Sequence, residues 1–280
     1  MSKLFEERVH YKPFEYPVYY NEGWLKQAQA FWLHTEIAMQ SDVKDWKENL
    51  TVSERNLVGN ILLGFAQTEC AVSDYWTGMV TKWFPKHEIK QMAMMLAKSP
   101  EARKNVARSL AIFSAFAEGV SLYSSFAVLY SFQMRNLLKG VGQQMKWSVR
   151  DESLHSRMGC KLFNHMCEEY PELKAESKDA INEAAKLIVD LEVKFIDKMF
   201  EMGDLENLKA TDLKEFIKQR ANEKLVELGY DPIFIVNQQK ASNLEWFYHL
   251  TGGHTHTDFF AIRSTDYSKA GEGDDWEDIF

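Results

Sequence analysis

Proline and glycine are scarce in this chain, six and fourteen among 280 residues, and they fall mostly between long apolar-periodic stretches. That distribution excludes a fibre and a disordered linker. Cysteine is scarcer still: Cys70, Cys160 and Cys167 form no C-x-x-C pair and no even disulfide framework, which suits a reducing cytoplasm. Apolar runs are broken by Glu, Ser, Gln or Arg before the roughly 18 residues a membrane span needs, and no N-terminal signal-like segment is seen. Positive charge is in deficit, with a net charge of -8, so a general nucleic-acid-binding role is disfavoured. What is present is core material: 45% hydrophobic and 13% aromatic content can bury one large core or two modest ones.

Apolar residues recur at i, i+3, i+4 and i+7 over most of the length, so the chain reads as all-α. The periodicity predicts helices over Leu25 to Met39, Val52 to Trp83, His87 to Ala97, Pro100 to Met134, Leu138 to Cys167, Glu172 to Met202, Ala210 to Glu227 and Pro232 to Ser242. Ser99-Pro100-Glu101 is a good helix start, with serine as cap and proline in the first turn. Helices of this length, without an internal repeat, imply a bundle whose members run the full length of the domain.

Chemistry in such a bundle sits on inward-facing polar groups. Glu152-Ser153-Leu154-His155 projects a carboxylate and an imidazole from one face, a turn apart, where both reach the same ion. Glu69 and Glu118 are each set in a run that is apolar on most sides. A buried, unpartnered carboxylate costs several kcal/mol, so each needs an arginine, a lysine or a metal, or must snorkel to the surface. One Glu on each of two helices with Glu-x-x-His on others is the ligand pattern of two-metal carboxylate bundles.

The run Phe116-Ala117-Glu118-Gly119-Val120-Ser121-Leu122-Tyr123, followed by Val149-Arg150-Asp151-Glu152-Ser153-Leu154-His155, resembles the small, radical-generating subunit of class I ribonucleotide reductase. The resemblance runs from about Trp32 through His165 and resumes in the C-terminal tail. It implies a ferritin-like bundle, a centre of two iron ions, a manganese–iron pair or two manganese ions, and a role in supplying deoxyribonucleotides for DNA replication. It also implies that Glu69, Glu118, Glu152 and His155 are metal ligands, that Trp32 relays an electron with Asp151 as its hydrogen-bonding carboxylate, and that Tyr267 carries the radical onward. The partner it implies is the large catalytic subunit, and the assembly a homodimer.

One stretch departs from the family. After Ala97 the family continues into a second Glu-x-x-His and the tyrosine that stores the radical, whereas here the chain passes directly to Lys98-Ser99-Pro100. Roughly sixty to seventy residues of the pattern, enough for a helix end and a crossover, have no counterpart. Either a segment is omitted from this chain or half of the metal site has been lost. The remaining Glu-x-x-His, Glu7-Arg8-Val9-His10, lies ahead of Pro13 and before the core helices, in what reads as an exposed segment.

Residues 1–263 are expected to form the bundle and 264–280 a flexible acidic tail. Trp276, Ile279 and Phe280 are large apolar groups at helical spacing in that tail, and in the resembling family this terminus docks into the large subunit. Two other readings stand beside that of a reductase subunit: another two-metal carboxylate oxidase, and a non-catalytic metal-binding or assembly protein that has lost half of the site.

Overall fold

The computed structural model describes residues 3–7, 13–73, 75, 83–84, 86–92 and 100–250. Among them there are helices and no β-strand. A π-helical stretch, Tyr19–Trp24, runs into α1 (Leu25–Gln29), and α2 (Gln40–Lys44) continues into a second one, Asp45–Asn49. Then come α3 (Val52–Ser73), the short α4 (His87–Met92) and α5 (Pro100–Ile112). A nine-residue π-helical stretch, Phe113–Ser121, joins α5 to α6 (Tyr123–Met134). The long α7 (Lys139–Glu169), α8 (Glu172–Met199) and α9 (Ala210–Glu227) complete the bundle. Short helices α10 (Gln238–Ala241) and α11 (Glu245–Leu250) flank a 3-10 turn, Ser242–Leu244.

The bundle is built around one pairing: α7 lies against the Phe113–Ser121 stretch and α6, while α5 packs on α8 and α9 closes over both α8 and the same stretch. Every residue from Tyr123 to Phe132 is buried, so α6 has no polar face, as expected of a helix enclosed on all sides. The helix Arg103–Met134 is in fact long and apolar enough to cross a membrane, contrary to the reading of broken apolar runs. However, 78% of its most apolar stretch is buried inside the bundle.

The start of α7 is fixed by two aspartates of the α2 segment. Asp42 accepts hydrogen bonds from the backbone N–H groups of Gly140 (2.9 Å) and Val141 (2.7 Å), and Asp45 accepts from Leu138 (2.9 Å). These N–H groups have no partner within the helix, and the negative charge also complements the helix dipole. Leu138 itself has φ of 48°, a left-handed conformation that costs a branched residue about 1–3 kcal/mol. The Asp45 bond and the burial of its side chain to 2% exposure offset that strain. Further along, α7 approaches the π-helical stretch so closely that a Cβ on Gly159 would lie 1.9 Å from Ser114 Oγ.

Four helix boundaries differ from expectation. Leu25–Met39 is broken after Gln29, with a 3-10 turn at His34–Glu36, and the periodicity did not signal α2 at all. Val52 begins its helix as expected, but Trp83 is not helical. Of Pro232 to Ser242 only Gln238–Ala241 is α-helical; Ile233 and Phe234 are not helical, and their N–H groups donate to Asn222 Oδ1 at 3.0 Å each.

Candidate metal centre

Glu152 and His155 are a turn apart on α7, with His155 Nδ1 3.7 Å from Glu152 Oε2. Glu118 reaches them from the π-helical stretch. One ligand atom from each of the three lies within 4.8 Å of the others. Glu118 is fully buried and Glu152 is 6% exposed. Nine residues of π-helix are uncommon, and such widened turns concentrate at functional sites. Here the widened backbone also presents Gly119 O to Arg220 Nε at 3.0 Å, tying the Glu118 segment to α9.

Two carboxylates facing one another in a dry interior are costly, on the order of several kcal/mol each, unless positive charge lies between them. On α9, Lys224 Nζ is 2.6 Å from Glu227, and Arg220 lies over the Tyr123 ring at 3.9 Å. His155 registers the field of the site. Burial opposes its charge, yet Glu152 first, then Glu118 and Asp151, outweigh burial and raise the imidazole to about 9. A metal ion bound at this imidazole would take the place of a proton.

The donor set fits a first-row metal ion. Two carboxylates and one imidazole are hard-to-borderline ligands, and Glu152 Oε2 is buried without a hydrogen-bond partner, as a ligand atom awaiting a cation is. His155 Nε2 meets Gln27 Nε2 at 2.5 Å. A glutamine amide presents either end. With its oxygen toward His155 it holds the Nε2–H tautomer and leaves Nδ1, the nitrogen facing Glu152, as the donor to a metal.

Asp151, beside the ligand pair, turns toward the segment just beyond α1. Its Oδ2 accepts the indole N–H of Trp32 at 2.8 Å, and its Oδ1 is 3.4 Å from Arg150 Nε. Arg150 in turn donates to Ala30 O at 2.9 Å. Burial raises the Asp151 carboxyl above the usual range, while the Trp32 hydrogen bond and Arg150 pull it back. Trp147 packs against Trp32, ring centroids 5.3 Å apart.

Of the residues singled out in the sequence, Glu118, Glu152 and His155 are brought together, and Trp32 joins Asp151. Glu69 lies on α3, with its side chain outside the described residues. Tyr267, Trp276, Ile279 and Phe280 also lie outside them. Gln27, Trp147 and Arg150 were not singled out. Arg150 was legible as part of the Arg-Asp-Glu-x-x-His run; Gln27 carries no sequence signal, because it meets His155 only through a contact 128 residues away.

The pattern of the ribonucleotide reductase small-chain family matches residues 8–99 and 91–241. The two matched segments overlap at 91–99, where the sequence departs from the family after Ala97. A probable ribonucleoside-diphosphate reductase small subunit of Invertebrate iridescent virus 3 is 29% identical, over 98% of this chain and 88% of its own length. That alignment spans 335 positions, longer than the chain itself, so the viral protein carries residues with no counterpart here. Among solved structures, the R2 subunit from Clostridium botulinum superposes with a TM-score of 0.69 over 89% of this chain and 94% of its own, at 13% identity. The dimanganese(II) NrdF of Streptococcus sanguinis gives 0.61 over 86% and 99%, at 20% identity. The bundle is thus of the ferritin-like kind found in R2 proteins. The chain belongs to the ribonucleotide reductase small-chain family, an oxidoreductase family, and the reading as another carboxylate oxidase gives way to it.

Proposed function

We propose that the chain is the metal-bearing small subunit of a ribonucleoside-diphosphate reductase, with Glu118, Glu152 and His155 as ligands and Glu69 as a further carboxylate from α3. A bound metal supplies a one-electron oxidant. Iron and manganese both suit an oxygen-rich site with one nitrogen, and one relative with this fold holds manganese. The protein's own part is orientation and insulation. Gln27 holds the imidazole, the packing of α7 on the Phe113–Ser121 stretch buries Glu118 and Glu152, and Asp151 holds the indole proton of Trp32 at its Oδ2.

The observation that carries this reading is the Trp32–Asp151 hydrogen bond. It places an oxidisable indole beside the ligand pair, on a carboxylate able to accept the proton that an oxidised indole releases. Trp32 then passes oxidising equivalents toward Tyr267 in the segment 264–280, and Trp276, Ile279 and Phe280 anchor that segment in the large catalytic subunit. Two copies form the working homodimer. A reducing cytoplasm suits the thiols: burial pushes Cys160 up to about 12 and Cys167 up to about 11, leaving both unreactive as thiolates.

The test is reconstitution. Metal-loaded chain added to a large catalytic subunit should make deoxyribonucleotide formation depend on its concentration. Oxygen uptake or metal binding without such dependence would assign the chain to a scaffold role instead.

A further inference from the structure

A complete two-metal bundle site takes six residues: a Glu from each of two helices and a Glu-x-x-His from each of two others. Glu118 and Glu69 occupy helices of the first kind, and Glu152 with His155 is one pair of the second. The other pair is where the chain falls short. Glu7-x-x-His10 is the remaining motif of that form; Glu7 is exposed, and His10 lies outside the described residues. Among the described histidines, His165 Nδ1 is engaged by the Tyr19 hydroxyl at 2.6 Å, His87 packs near Phe14, and His249 is exposed near the end of α11. Among the described residues none of these joins the cluster of Glu118, Glu152 and His155; the side chains of His34, His254 and His256, like His10, lie outside them, and none of the three follows a Glu at i-3.

Charge leads to the same count. Two buried carboxylates and a neutral imidazole neutralise one dication. A second dication would leave two positive charges uncompensated beside the buried Glu118 and Glu152, and one even with Glu69 as a ligand. Buried charge of either sign requires a partner. Glu152 Oε2, buried and without a hydrogen-bond partner, gives the single ion its place beside His155 Nδ1.

We propose that this chain holds one divalent metal ion, on Glu118, Glu152 and His155, in place of the pair that a complete carboxylate bundle holds. The proposal rests on the metal-bearing reading and fixes the stoichiometry of that site. The count bears directly on how an oxidant would be formed, since a single ion could not share the oxidation with a metal neighbour.

The experiment uses the full chain, its intact mass first verified as 32.6 kDa; a mass larger by roughly sixty to seventy residues would show that the segment after Ala97 is present and overturn the proposal. The chain is loaded with manganese(II), desalted, and analysed by elemental analysis, native mass spectrometry and electron paramagnetic resonance. One manganese per chain with an uncoupled six-line spectrum is expected. Binding should weaken at least tenfold in His155→Ala and in Glu152→Gln, the latter keeping the side-chain volume in case the first variant folds poorly. Two ions per chain, or the spectrum of an exchange-coupled pair, overturns the proposal while leaving the metal-bearing reading intact. No binding at all, or full binding in both variants, removes both.

Discussion

Trp32 and Asp151, 119 residues apart, are joined by an indole N–H that donates to a carboxylate oxygen at 2.8 Å. Asp151 is the neighbour in sequence of Glu152, a proposed metal ligand, so the bond starts one residue from the cluster of Glu118, Glu152 and His155. Arg150 braces Asp151 from the other side, so this carboxylate is held between a cation and an indole. On the proposed reading, adjacent residues of α7 take separate roles: Glu152 binds the metal and Asp151 connects to Trp32.

Replacing Trp32 by Phe keeps an aromatic ring against Trp147 but removes the donor and makes one-electron oxidation harder. Metal content should be unchanged while turnover with the large subunit falls by about tenfold or more. Unaltered turnover would reduce Trp32 to a packing residue. Asp151→Asn should give the same division between retained metal and lost activity.

Glu152→Ala and His155→Ala should abolish tight metal binding and leave most of the helix content, because apolar faces build the core and these groups build only the site. Glu118→Gln should weaken binding less, since an amide oxygen still coordinates. Circular dichroism together with metal analysis checks all three. Undiminished metal in both alanine variants would refute the assignment.

Glu192 tests the electrostatics of the core away from the metal. It is buried on α8, and burial raises its carboxyl to about 8, although a hydrogen bond from Ser124 at 2.6 Å pulls the other way. The folded chain therefore keeps a proton that the unfolded chain releases near the ordinary 4.5. Between about pH 4.5 and 8 stability should fall as pH rises, by roughly 1.4 kcal/mol per unit from this group, and level off above. Thermal melts of Glu192→Gln should show a flatter decline over that window than the parent chain.

Two glycines should respond in opposite directions. Gly159→Ala forces a methyl into Ser114 where α7 meets the Glu118 stretch, and overpacking of this kind costs about 1–3 kcal/mol. Gly64→Ala, on an exposed position of α3 with nothing within 4 Å, should stabilise by roughly 0.5–1 kcal/mol through helix propensity. Chemical denaturation distinguishes them.

Removal of Gly271 to Phe280 should eliminate association with the large subunit without altering metal content or melting temperature. A peptide of those residues should compete weakly with the intact chain, because an unstructured segment loses affinity to its own ordering. Full binding by the truncated chain would leave Trp276, Ile279 and Phe280 without a docking role.

By itself the sequence determined the all-α class, the limits of α7 and α9 to within a few residues, and the identity of Glu118, Glu152 and His155 as ligand candidates. Those features are local: periodicity reports a helix face, and Glu-x-x-His places two groups one turn apart whatever surrounds them. The tertiary structure decided the rest. Asp42 and Asp45 capping α7, Gln27 at His155, the π-helical widening at Glu118 and the break after Gln29 depend on contacts between segments far apart in the chain. No local pattern encodes such contacts, because their free energy exists only once the helices have packed.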